Sequence, residues 1–290
     1  MQKIKHLIVV MLSCVLILSL VSCSKSAEKS TTTVTSTTQA TTAKSATDIE
    51  GKTTINVFAA ASLTEAMENA KKLYTQKHPE VDIALTFDSS GTLKTQIELG
   101  APCDIFVSAA QKQMNALDIA SEKNEDQLDF IDSSTRRDVL ENKVVLAVPA
   151  NNPANVKEFT DITKDEVKKI ALGNSDVPVG KYSEELYKNL GIWDQIQDKV
   201  SWGSNVKEVT TWVAEGAVDC GVVYATDANS AKLEIVNTAT SDMIKTPVIY
   251  PAAVLKNSAN AKVAKDFLDF VFSDQESVKF FEEVGFKVLK

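Results

Sequence analysis

The sequence predicts an α/β protein of two lobes, each a mostly parallel sheet flanked by helices, joined by two crossover strands. Three observations carry that expectation. From Thr53 onward, short apolar runs alternate with amphipathic runs of helical period, the pattern of doubly wound sheets. The alternation restarts after Arg136-Arg137. Two long extended runs, "KVVLAVPANNP" and "TPVIYPAAVL", read as strands that leave one unit and enter another. No internal repeat is visible.

The chain has 290 residues, 44% apolar and 24% charged, which is ordinary for a soluble globular protein. Its beginning is set apart from the rest. "MQKIKH" is basic, "LIVVMLSCVLILSLV" is apolar and "LVSC" closes the stretch, the layout of a secretory signal. The apolar run is short for a membrane span, which needs about 20 residues. Small residues before Cys23 resemble a lipobox. Residues 1–22 therefore read as a lipoprotein signal peptide and Cys23 as the lipid attachment site; an ordinary signal or an uncleaved anchor is the alternative. Residues 23–51 are rich in Ser and Thr and too poor in large apolar side chains to fold, so they read as a disordered tether. The expected location is outside the cytoplasm, held to the cell membrane through Cys23.

The remaining elements follow in order. "TINVFAA" reads as a strand, followed by a helix from Ser62 to Lys77 with Leu63, Ala66, Met67, Ala70 and Tyr74 on one stripe. "VDIALTF" leads to a short helix through Leu93 and Ile97, and "CDIFVSAA" to a helix from Gln111 to Ala120. "KKIALGN" and "VDCGVVY" read as strands of the second unit, with helices near Ser183 to Asn189 and Asn205 to Glu215. The tail has Val263, Phe267 and Phe270 on a helical stripe, then a further helix to about Glu283. Lobe I is expected over 52–141 and 248–290, and lobe II over 142–247.

Formal charge is −8, which argues against a nucleic-acid partner. A small anion remains possible, because a site can be built from backbone dipoles instead of Lys or Arg. Of four cysteines, Cys14 lies in the signal and Cys23 is the lipid acceptor, leaving Cys103 and Cys220. A disulfide is permitted outside the cell, but two buried thiols are the expectation. The mature chain keeps one histidine, His78, beside Pro79, too little for a metal site.

The strand ends carry the chemistry. Ala59-Ala60-Ala61 followed by Ser62 leaves space for an anion to approach the unpaired N–H groups of a helix start, where the macrodipole is positive. Ser62 and Glu65 also match a capping box, S-x-x-E, which would make this loop a helix cap and nothing more. "TFDSSGTL" repeats the arrangement with Ser89, Ser90 and Gly91; the Asp88 carboxylate should point away. "DVPVGKY" and "GSNVKEV" are further helix starts, the second with Asn205 as cap. "GVVYATDA" puts Tyr224 at the end of a buried strand. Four helix N-termini and one phenol could surround a small tetrahedral oxyanion. Lys181 and Lys207, beside two of these loops, read as solvent-exposed helix lysines.

Taken in order, "VFAAASLTEAM", "FDSSGTLKTQIELGAPCDIFVSA", "VPVGKY" and "GVVYATDA" resemble the periplasmic molybdate-binding proteins of ABC transporters, over about Lys52 to Lys290. The resemblance implies a two-lobed periplasmic-binding-protein fold and a monomer. It implies an oxyanion held without cationic side chains, by two serines, two backbone N–H donors and a tyrosine hydroxyl. Carried over by motif, the serines are Ser62 and Ser90, the backbone donors Val179 and Val206, and the phenol Tyr224. Molybdenum would enter only as molybdate, with no side chain ligating the metal and no cofactor. The partner would be a permease dimer in the membrane. Gly91 stands where a third serine is common, and Val179 where a smaller alanine can sit, which bears on pocket size.

Other readings are weaker on the residues. A serine nucleophile needs a base, and His78 lies at the far end of the first helix from Ser62. Neither a G-x-S-x-G elbow nor a P-loop is present. Sulfate, phosphate or tungstate could replace molybdate; phosphate would want an acceptor, for which Asp88 is the candidate.

Overall fold

The computed structural model describes residues 51–289. The signal peptide, Cys23 and the tether up to Glu50 lie outside the described residues. Strand β1 (Thr53–Ala60) becomes buried on both faces toward its end, and Ile55, Val57 and Ala59 are wholly enclosed. A 3-10 turn at Ala61–Leu63 leads into α1 (Thr64–Lys77), which buries the expected stripe of Ala66, Met67, Ala70 and Tyr74. β2 (Val81–Asp88) lies parallel to β1 and feeds α2 (Ser90–Glu98). β3 (Ile105–Val107), parallel to β1 on its other side, feeds α3 (Gln111–Leu117). All three strands thus end on the same edge of the sheet.

The chain leaves that sheet through β4 (Arg137–Glu141) and enters a second one as β5 (Val144–Val148). The second sheet is built up by β6 (Ile170–Gly173), α4 (Pro178–Asn189), α5 (Trp193–Ile196), β7 (Val200–Gly203), α6 (Val206–Ala214), β8 (Cys220–Tyr224), α7 (Ala225–Ser230) and β9 (Glu234–Thr238). β10 (Ile249–Val254) returns to the first sheet, which α8 (Ala261–Ser273), α9 (Gln275–Val284) and β11 (Lys287–Val288) complete. Strand order is β11-β4-β10-β3-β1-β2 in the first sheet and β7-β6-β8-β5-β9 in the second.

The sheets are mixed rather than mostly parallel. β10 runs antiparallel to β3 and β4, and β5 antiparallel to β8 and β9. The reason is the route of the chain. β1, β2 and β3 run toward the edge that faces the other sheet; a strand arriving from that sheet starts at this edge and must run the other way. A parallel entry would need its own crossover helix. The first crossing also begins earlier than the sequence indicates, because its outgoing half is β4 and "KVVLAV" is already the second sheet. The outgoing half of the second crossing is β9, whose "EIVNT" is only partly buried. The two links lie side by side, with the Asn142 N–H donating to the Val248 carbonyl at 3.0 Å.

Helices close the outer faces. Tyr74 of α1 stacks on His78 at 4.3 Å and meets Phe267 and Phe270 of α8 edge-on at 5.0 and 5.1 Å. Each such pair adds about 0.5–1.5 kcal/mol beyond area burial. Cys103 and Cys220 are free thiols, Cys220 buried and Cys103 half-buried, its Sγ donating to the Ile105 carbonyl at 3.2 Å. Burial pushes the Cys220 thiol up to about 12, so it is not a nucleophile near neutral pH.

Candidate functional site

The edges of the two sheets face each other across a small cavity. The first sheet contributes Ala60, Ala61 and Ser62 after β1, Asp88, Ser89 and Ser90 after β2, and Ala109 after β3. The second contributes Val177 and Pro178 at the start of α4, Val206 at the start of α6, and Tyr224 at the end of β8. The free space at its centre is about 10 Å³. A larger cavity of about 540 Å³ lies nearby, between α3 and α4, lined among others by Gln113, Lys181 and Tyr182.

Each wall is made locally. Ala61–Leu63 forms a 3-10 turn because small side chains let the chain double back tightly at the strand end. The expected capping box between Ser62 and Glu65 does not form: no side chain caps this helix start, and Glu65 instead accepts from the Ser230 hydroxyl at 2.7 Å. Ser62 is turned inward, its Oγ 2.9 Å from the Tyr250 hydroxyl. At the second strand end, Ser89 takes the cap, accepting from the Thr92 N–H at 3.1 Å, which releases Ser90 from that duty. Ser90 Oγ accepts from the Ala109 N–H at 2.9 Å and keeps its own hydrogen to give. Asp88 lines the cavity, with its Oδ1 tied to the Ser89 N–H at 2.7 Å.

On the facing side, Pro178 has no N–H, and the N–H groups of Gly180 and Lys181 both go to the Val177 carbonyl at 2.9 and 3.2 Å. The Val179 side chain is fully buried and is not among the lining residues; its N–H is the remaining donor of this first turn. At α6 the Asn205 side chain accepts from the Glu208 N–H at 3.0 Å, leaving the Val206 N–H at the cavity wall. Tyr224 is fully buried, and its hydroxyl has no hydrogen-bond partner among the described residues. An orphaned buried hydroxyl costs about 1–3 kcal/mol, a penalty that a ligand oxygen would lift.

Among the described residues, no lysine or arginine lines the cavity. Lys181 pairs with Glu184 at 2.9 Å. Lys207 is not the free helix lysine that the sequence indicates: its ammonium lies 3.2 Å from the carboxylate of Asp227, which is buried. Burial holds the Asp227 carboxyl above its usual range, against the pull of Lys207. Among the described residues there is no group of His, Cys, Asp and Glu that could hold a metal ion.

The two sides also meet directly. The Gly91 N–H donates to the Asp176 carbonyl at 3.1 Å, and a Cβ on Gly91 would lie 2.3 Å from that oxygen. The glycine that departs from the serine pattern is what allows the backbones to approach this closely. Of the five residues carried over by motif, Ser62, Ser90, Val206 and Tyr224 line one cavity and Val179 does not, while Tyr250 and Asn142 were missed. Tyr250 carried the same signal as Tyr224, a tyrosine on a buried strand near a strand crossing.

Comparison with known proteins places these features in context. The family model described as bacterial extracellular solute-binding protein matches residues 55–287. A Bacillus subtilis protein named as an ABC transporter substrate-binding lipoprotein, YvgL, is 38% identical over 84% of this chain and 90% of its own length. The molybdate-binding protein ModA of Haemophilus influenzae is 36% identical over 76% of this chain and 85% of its own. A solved Clostridium difficile structure, described as the substrate-binding domain of a molybdenum ABC transporter, superposes with a TM-score of 0.60 at 38% identity. That match covers 82% of this chain and 99% of that one.

Proposed function

Because the chain belongs to the bacterial extracellular solute-binding protein family, we propose that the cavity between its two sheets captures molybdate or tungstate for an ABC importer. It is a binding component and not an enzyme; the relatives are solute-binding proteins, and molybdate is cargo rather than cofactor. The observation that carries the choice of ligand is the Tyr224 hydroxyl, buried, without a partner, in a cavity that offers hydrogen-bond donors and no cation.

The donors in this reading are the Ser62 and Ser90 hydroxyls with their N–H groups, the Val179 and Val206 N–H groups, and the Tyr224 hydroxyl. Val179 acts through its backbone alone, which is compatible with a buried side chain. Burying a dianion without countercharge is costly. Charge-assisted hydrogen bonds of about 1.5–3 kcal/mol each offset that when several converge. The donors sit on helix starts and strand ends and are oriented before the ion arrives, which limits the ordering penalty. Lobe I would comprise 52–141 and 248–290 and lobe II 142–247, closing about the paired links at Asn142 and Val248. The protein acts outside the cytoplasm. In the full reading, residues 1–22 are removed, Cys23 carries lipid, residues 23–51 tether a monomer to the membrane, and the loaded form docks on a permease dimer.

Calorimetric titration of the mature protein with molybdate, tungstate, sulfate and phosphate tests the reading. Tight binding of the first two, with no heat from the others, is the expected result. Tight binding of phosphate instead would assign Asp88 the role of hydrogen-bond acceptor from its hydroxyl; binding of none would refute the oxyanion site.

A further inference from the structure

We propose that Tyr250 is a positioning residue that fixes the Ser62 hydroxyl as a donor to the bound oxyanion. The proposal rests on the oxyanion reading above and deepens it. Tyr250 lies on β10, fully buried, with its Oη 2.9 Å from Ser62 Oγ. That distance alone leaves the direction of the bond open; the neighbours decide it.

The Lys143 N–H donates to Asn142 Oδ1 at 2.8 Å, which orients the amide with its NH₂ turned inward. That NH₂ donates to Thr226 Oγ1 at 3.0 Å and to Tyr250 Oη at 3.2 Å. Tyr250 therefore already accepts a hydrogen bond and has one hydrogen to give. Given to Ser62 Oγ, it leaves the Ser62 hydrogen free for the cavity that Ser62 lines. The opposite direction would turn the lone pairs of Ser62 toward an anion, which is repulsive. The relay thus runs from Asn142 to Tyr250 to Ser62 to the ligand.

Ser62 and Asn142 are 6% exposed, and Tyr250 is 0% exposed, so bulk solvent does not replace a lost link. Asn142 and Tyr250 sit at the two links between the sheets, so the relay begins where the lobes would hinge. It also fixes the chemistry offered at Ser62: a hydrogen, never an acceptor, which suits a fully deprotonated tetrahedral dianion.

The test is a double-mutant cycle on the intact protein. Molybdate affinity is measured for wild type, Ser62→Ala, Tyr250→Phe and the double variant, with the melting temperature of each. Tyr250→Phe should weaken binding about five- to twentyfold, yet by less than about twofold once Ser62→Ala has removed the hydroxyl it orients. An equal loss in both backgrounds, or no loss from Tyr250→Phe alone, overturns the proposal. Asn142→Ala, one link further back, supplies the same cycle if Tyr250→Phe does not fold. A wild-type protein that fails to bind molybdate would refute the oxyanion reading instead, so the two failures are distinct.

Discussion

Removing the Tyr224 hydroxyl should weaken the protein's function without weakening its fold. The hydroxyl lines the cavity, is buried, and has no hydrogen-bond partner among the described residues. Tyr224→Phe deletes one charge-assisted hydrogen bond to the ligand, about 1.5–3 kcal/mol, so the dissociation constant should rise about 10- to 150-fold. In the unliganded protein the same deletion removes an unsatisfied polar group, while the ring keeps its packing against Tyr182 and Tyr250 at 6.4 and 5.8 Å. The unliganded melting temperature should therefore hold or rise; for a domain of this size, 1 kcal/mol corresponds to about 2–4 °C. Calorimetric titration paired with thermal melts reads both quantities. Unchanged affinity would remove the hydroxyl from the ligand shell. A loss of affinity accompanied by a clear fall in the unliganded melting temperature would mean that the ring was acting through packing.

Two further outcomes follow from the geometry. Gly91→Ala would place a methyl carbon 2.3 Å from the Asp176 oxygen, so the lobes must part by roughly 1 Å. Affinity should fall at least about tenfold, and any compaction on adding molybdate, measured by X-ray scattering, should shrink; a variant with wild-type affinity would contradict this. Burial raises the Asp227 carboxyl above its unfolded value, so its ionised form penalises folding. That penalty is absent below the unfolded pKa of about 4 and grows as pH rises toward the folded value. Asp227→Asn should therefore melt higher than wild type near neutral pH, with the gap closing in acid. A less stable variant at neutral pH would show that the Lys207 pair outweighs the burial.

The α/β class was legible because strand and helix periods differ and the strands forming the two cores are apolar. β9 and β7 were hard to see for the opposite reason: "EIVNT" and "VSWG" lie at sheet edges, half-buried, and carry little pattern. The mixed strand directions depend on where the chain crosses, which local residue pattern does not encode. At the site, small residues and hydroxyls at strand ends marked the loops after β1 and β2, while the choice of Ser62, Ser90, Val179, Val206 and Tyr224 rested on the family resemblance; all but Val179 line one cavity. Tyr250, Asn142 and the Asp227–Lys207 pair were not legible, since each acts on a group distant in sequence: 188 residues separate Ser62 from Tyr250. The S-x-x-E match at Ser62 is not realised because Ser62 lies within the 3-10 turn and the N-cap of α1 falls on Leu63.

The contact between Gly91 and Asp176 joins one main-chain group to another. Such a bond has no titratable partner and no net charge for dissolved ions to screen. A protein working outside the cytoplasm has no control over the acidity or salinity of its surroundings. An ion pair in the same place would slacken in brine and break in acid. A clasp made of peptide groups has neither weakness, so salt and acid leave this joint between the two sheets in place.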